Sequence, residues 1–195
     1  MRPTWDERFM IDALNASTRA NCLVRHVGAV LVKNNRTVAS GYNGAPPGIK
    51  TCLEMGECLY QVQAHEESVK TGQPFEILKE LHKPFCIVIH AEKNVFRCCT
   101  DEEAEGATLY VTCFPCFGCV RDVIVPKRIK RIIYWKNFLQ EEYDRTVGLL
   151  NQVGIAIEKL KLSEERIFEI HKQSLRAGDR LEYRFDPENI PTQNQ

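Results

Sequence analysis

The chain has 195 residues, enough for one well-buried domain and hardly enough for two. Hydrophobic residues make up 44% and charged residues 27%, an ordinary globular composition, and 26 basic residues balance 26 acidic ones. A protein that grips a long nucleic acid by its phosphates carries a basic excess, so this balance argues for a small-molecule partner and against a nucleic acid polymer.

In chain order, Thr4 and Glu7 have the spacing of a capping box, and Phe9, Met10, Ala13 and Leu14 recur at helical intervals, which predicts a helix over about 4–19. The apolar run at 28–32 and the run at 38–42 read as two strands, and Asn34-Asn35 between them reads as a hairpin turn. Residues 44–48, with Pro46-Pro47, form a loop. The polar stretch over about 50–86 is rich in Cys and His and reads as an insertion with little regular structure beyond one short helix near 63–70. Then come an apolar lead-in at 87–89, a helix from about Ala91, a strand at 108–112, a helix at about 116–125, a strand at 129–135, a helix at about 140–153 and a strand at 155–160. Alternating strand and helix predicts an α/β layered sheet. Ser163 and Gly178 bracket a last helix whose Ile167, Phe168, Ile170 and Leu175 need an apolar partner, followed by a polar tail. The expected division is a domain over 1–162 and a C-terminal helix and tail over 163–195.

No run of 18 apolar residues exists, and the N-terminal stretch lacks a signal-peptide hydrophobic segment, so no membrane is expected and the expected compartment is cytoplasmic. Nine cysteines in that setting point to metal ligation or catalysis, not to a disulfide framework. His90-Ala91-Glu92 and Pro115-Cys116-Phe117-Gly118-Cys119 each stand where a helix begins. His90, Cys116 and Cys119 offer one imidazole and two thiolates, three protein ligands for Zn²⁺ with a fourth position left for water, which is the catalytic pattern; a structural zinc is closed by four. First-turn N–H groups stabilise the thiolates. Zinc lowers the pKa of its water from about 15.7 to about 7, and Glu92, two residues after His90, is placed to accept the proton and pass it on. The competing reading is a structural zinc site, which leaves Glu92 without a role. Cys113 confuses the count; Pro115 directly before Cys116 favours Cys116 and Cys119, with Cys113 a bystander. Cys98 and Cys99 are expected to pack as small apolar residues in the helix after Glu92.

His-x-Glu paired with Pro-Cys-x-x-Cys is the signature of the zinc nucleobase deaminases. The likeness extends to Arg2–Met10, to Cys22 with Arg25-His26-Val27-Gly28, to Gly41-Tyr42-Asn43-Gly44-Ala45-Pro46-Pro47-Gly48 and to Gly106–Thr112. With Asn94 after His-x-Glu, the chain resembles the deoxycytidylate deaminase family over residues 2 to about 160. The resemblance implies a three-layer α/β/α cytidine-deaminase-like fold with a five-stranded mixed sheet, a homo-oligomer, and hydrolysis of dCMP to dUMP and ammonia. Alternatives are another cytosine compound or a tRNA base as substrate, or a non-catalytic zinc-stabilised binding module.

For such a substrate, the Ala91 N–H is a candidate donor to the base carbonyl, and Asn43 a candidate for the sugar or base edge, against the reading of a turn former. Arg25 is a candidate for the 5′-phosphate or else a surface ion pair. Tyr134 is a candidate wall for the base or else a core aromatic. Cys22, Cys52, Cys58 and Cys86 flank a segment with too few apolar side chains to order itself, so a second, structural zinc on these four is expected. Related deaminases, which carry thiols at similar places, imply the same. His65 and His82 are the substitutes.

Overall fold

The computed structural model of the chain describes residues 2–137 and 140–175, and the side chains of all of these except 140, 141, 174 and 175. Helix α1 (Trp5–Ser17) opens on the predicted capping box: Glu7 N–H donates to Thr4 Oγ1 at 3.2 Å, and Thr4 N–H to Glu7 Oε2 at 2.7 Å. Strands β1 (Gly28–Lys33) and β2 (Arg36–Tyr42) form the predicted hairpin. Asn34 and Asn35 sit at φ of 53° and 56°, the left-handed pair that a tight hairpin turn demands and that Asn tolerates.

The insertion is not irregular. It folds into α2 (Cys52–Met55), α3 (Leu59–Thr71) and α4 (Phe75–His82), followed by a 3₁₀ turn (Lys83–Phe85). Thr51 and Glu54 form a second capping box, while Gly56 and Gly72, at φ of 73°, terminate α2 and α3. α3 and α4 pack on each other as a helical hairpin, so a narrow apolar stripe suffices where the composition alone suggested none.

Beyond it lie α5 (Ala91–Arg97), α6 (Asp101–Ala104) and β3 (Thr108–Cys113). The next helical run opens as α7 (Phe117–Cys119), widens into a π turn (Val120–Ile124) and tightens into a 3₁₀ turn (Val125–Lys127). Then come β4 (Arg131–Lys136), α8 (Gln140–Gln152), β5 (Ala156–Lys159) and α9 (Glu164–Leu175), where Arg166 N–H donates to Ser163 Oγ. Gly178, the expected stop, lies outside the described residues. α5 ends at Arg97, so Cys98 is an exposed cap residue and only Cys99 packs against the core. The expectation that both pack in the helix is corrected to that extent.

The sheet order is β2-β1-β3-β4-β5. β1 pairs antiparallel with β2 and β3, and β3-β4 and β4-β5 are parallel, so the five-stranded sheet is mixed. On one face α1 lies against β1 and β3, with Phe9 on Tyr110 at 5.4 Å between ring centres. On the other face Ala29, Leu31, Leu109, Val111 and Ile132 form a buried cluster with Val95 of α5, Val120 and Ile124 of the π turn, and Leu150 of α8. The sheet is thus layered between helices. The chain divides into two compact units between Lys161 and Leu162. Among the described residues no helix is long and apolar enough to cross a membrane.

Candidate active site

The C-terminal ends of β2 and β3 and the starts of α5 and α7 meet at one place. β2 runs into the Tyr42-Asn43-Gly44 loop, and there Gly44 and Ile89 exchange both backbone hydrogen bonds, at 3.1 and 2.9 Å. That bridge fixes the approach to His90, the N-cap of α5. Asn94 Nδ2, on the same helix, donates to Tyr42 O at 2.8 Å. Gly41 lets the helix lie directly on the strand: a Cβ there would stand 2.7 Å from Val95 N and 3.0 Å from Ala91 O.

Cys116 caps α7, and its Sγ accepts from the Cys119 N–H at 3.4 Å. His90 Nδ1 lies 3.5 Å from Cys116 Sγ and 3.3 Å from Cys119 Sγ. Among the described residues, these three form the group whose donor atoms all lie within 4.8 Å of one another. One imidazole nitrogen and two sulfurs at that spacing suit Zn²⁺. The Cys119 hydrogen bond and then the His90 ring hold the Cys116 thiol down, to about 4, while the Cys119 thiol is pushed up by the same bond from the other side. Two thiols facing one gap in this way disfavour being ionised together, a penalty that a divalent cation between them would relieve. Cys113 is not in the group, in line with the choice of Cys116 and Cys119.

Glu92 is 4% exposed, and burial raises its carboxyl above the usual range, with His90 acting against the rise. A buried carboxyl beside the metal donors, its acidity weakened by burial, has the character of a proton shuttle.

A cavity of about 600 Å³ opens onto this cluster, and His90, Ala91, Glu92, Cys116, Asn43 and Arg25 all line it. The volume is that of a small-molecule site. Ala91 is fully buried at the first helical position, whose N–H has no partner within the helix. Asn43 is 6% exposed; its Oδ1 accepts from Val27 N–H at 2.7 Å and its Nδ2 donates to Arg25 O at 2.9 Å. It therefore shapes the wall that carries Arg25, whose guanidinium interacts with Cys113. Tyr134 is a core aromatic. It is 4% exposed, with burial and a bond to Tyr143 raising its hydroxyl to about 12. Phe114, edge-on to Tyr134 at 5.0 Å, lines the cavity in its place.

All nine cysteines are free thiols. Cys22, Cys52, Cys58 and Cys86 converge at the base of the insertion. Burial raises Cys52, and repulsion from Cys58, Cys22 and Cys86 adds to it. They are gathered in one neighbourhood but more loosely than the His90 group. His82 is paired with Glu67 at 2.8 Å, and His65 packs edge-on against Phe75.

Two contributors have no motif. Glu142 of α8 accepts from the Phe117 N–H at 3.2 Å and lines the cavity, pinning the first turn of α7. α4 supplies a charged wall. Only Asn94 had a sequence signal, in its place after His-x-Glu.

Comparison with known proteins agrees with this geometry. The pattern of the cytidine and deoxycytidylate deaminase zinc-binding region matches residues 3–136. The deoxycytidylate deaminase of Mycobacterium phage D29 is 36% identical over 135 residues, 69% of this chain and 97% of that protein. The deoxycytidylate deaminase of Saccharomyces cerevisiae is 31% identical over 85% of this chain, which spans 47%, about half, of the yeast protein. A solved dCMP deaminase from the cyanophage S-TIM5, in complex with dCMP and dUMP, superposes with a TM-score of 0.57 at 26% identity. The match covers 82% of this chain and 99% of that one.

Proposed function

Since the chain belongs to the cytidine and deoxycytidylate deaminase family, we propose that it hydrolyses dCMP to dUMP and ammonia. The observation that carries the reading is the buried Glu92 beside a His90–Cys116–Cys119 donor set in a nucleotide-sized cavity. A non-catalytic zinc module has no use for a buried carboxyl there. His90 Nδ1 and the two sulfurs would hold the zinc. Zinc, when bound, supplies an acidified water as the nucleophile. The residues of the chain do the rest. The Ala91 N–H orients the base carbonyl. Glu92 takes the two protons of the water in turn, the first on attack and the second from the resulting C4 hydroxyl. It passes one to the ring nitrogen and the other to the exocyclic amine, which leaves as ammonia as the C4–N bond breaks and a C4 carbonyl remains. Phe114 and the Asn43-supported loop wall the base and sugar.

The finer assignments belong to the same reading. Cys22, Cys52, Cys58 and Cys86 close around a second, structural zinc, whose binding draws the four thiols together and orders the insertion against the cleft. Metal analysis tests this directly: two zinc ions per chain, falling to one in Cys52→Ser, is the expected result, and one zinc in fully active protein ends the idea. The protein works in the cytoplasm as a homo-oligomer on a free nucleotide, with no nucleic acid polymer involved.

The test of substrate is a spectrophotometric panel of cytidine, deoxycytidine, CMP, dCMP and dCTP with zinc-loaded protein. Preference for dCMP supports the proposal; equal turnover of deoxycytidine, or none of dCMP, overturns it.

A further inference from the structure

α4 is built inside out. Ile77 and Leu81, one turn apart, are 57% and 62% exposed, and Phe85 extends the strip at 71%. A helix lying over a core ordinarily turns such a strip inward. Here the charged stripe, Glu76, Lys79, Glu80 and Lys83, lines the cavity that contains His90 and Glu92. Leu78, 1% exposed, is the buried anchor that fixes the rotation of the helix, and α4 packs on α3.

That stripe changes the charge inventory of the cavity. Among the described residues its permanently cationic lining side chains are Arg25, Lys79 and Lys83, and two of the three come from α4 and its C-cap. Lys79 and Lys83 stand four residues apart, neighbours on one helical face that can converge on a single anion. Each is held by the glutamate three residues earlier: Lys79 Nζ lies 3.0 Å from Glu76 Oε2, and Lys83 Nζ 3.0 Å from Glu80 Oε2. The four side chains are 30% to 75% exposed, and ion pairs of that exposure contribute little. A phosphate monoester, carrying about −1.5 to −2 charges at pH 7, is the stronger competitor for both ammonium groups.

We infer that the stripe formed by Lys79 of α4 and its C-cap Lys83 is the wall that recognises the 5′-phosphate of the substrate, with Glu76 and Glu80 as its built-in competitors. This rests on the reading of the substrate as a nucleoside monophosphate. It gives the insertion a direct part in specificity, not only in folding.

The experiment measures kcat/KM for dCMP and for deoxycytidine on one preparation of each zinc-loaded variant, so that the active fraction cancels in their ratio. Lys79→Ala and Lys83→Ala should each lower the dCMP/deoxycytidine ratio about tenfold, equivalent to about 1.4 kcal/mol, chiefly through KM for dCMP. Glu76→Gln and Glu80→Gln should move the ratio the other way, about twofold to fivefold upward, a sign that a merely structural role for α4 does not produce. A wild-type protein that prefers dCMP while both lysine variants keep its ratio overturns the inference, as does loss of the ratio in Arg25→Ala alone. A wild type without preference for dCMP overturns the monophosphate reading itself, and is told apart from those results before any variant is made.

Discussion

Gly41→Ala should damage both stability and turnover, although Gly41 has an ordinary strand conformation and touches no substrate. The new Cβ meets Val95 N at 2.7 Å, Ala91 O at 3.0 Å and Asn94 C at 3.1 Å, all backbone atoms of α5. No side chain can swing aside, so α5 and β2 must part by about 0.7 Å to regain ordinary contact. Overpacking of this kind costs about 1–3 kcal/mol, which for a chain of this size lowers Tm by roughly 2–12 °C. The same shift carries His90 and Glu92 away from Cys116 and Cys119, which are held by a different helix. A displacement of about 1 Å at a reacting group costs about 10²-fold, so a fall in kcat of about tenfold or more is expected. Circular dichroism melting and dCMP turnover read the two effects. Gly148→Ala is the matched control. That Cβ meets nothing within 4 Å in α8, and the helix should gain up to about 1 kcal/mol. If Gly41→Ala matches the wild type in Tm and kcat, the close strand–helix contact does not position the site.

Glu92→Gln should retain zinc and lose about 10²–10⁴-fold in kcat, because it removes the shuttle and leaves every ligand; undiminished turnover would falsify the mechanism. Cys119→Ala should lose the catalytic metal and Cys113→Ala should keep it, as read by atomic absorption; the reverse pattern would mean that the wrong pair is assigned. Glu142→Ala should weaken zinc about tenfold in a chelator competition by freeing the Phe117 N–H, with Glu142→Gln restoring most of it, since one acceptor oxygen remains. Equal zinc affinity in all three proteins would leave Glu142 with no positioning role.

What sequence could reveal followed local signals. Thr4-x-x-Glu7, Asn34-Asn35 and the helix-opening His90 and Cys116 each act within a few residues, and each stands in the structure where its local chemistry put it. The insertion reads as irregular from its composition although Thr51-x-x-Glu54 carries the same capping signal. Its polar composition outweighed that signal because α3 and α4 lean on each other and need few apolar side chains. Tyr134 was ambiguous because strand ends are poorly marked. β4 runs on to Lys136, which leaves Tyr134 on the same face as Ile132, within the core. The π turn after α7 and the contribution of Glu142 leave no local trace, since both depend on how distant elements meet.

The central pairing of the sheet also sets a timetable. Gly28 N–H reaches Thr112 Oγ1 across 84 residues, and β1 gains its second neighbour only when β3 arrives. On a ribosome adding about 5–20 residues per second, β1 therefore waits roughly 4–17 s after its own synthesis with one edge unpaired. Its run Ala29-Val30-Leu31-Val32 is apolar on both faces, the kind of segment that pairs with whatever strand it meets first. The early β1–β2 hairpin protects one edge, and the insertion, made during the wait, lengthens the exposure of the other. Aggregation during synthesis, more than the stability of the finished fold, is then the price of placing the insertion between the hairpin and β3.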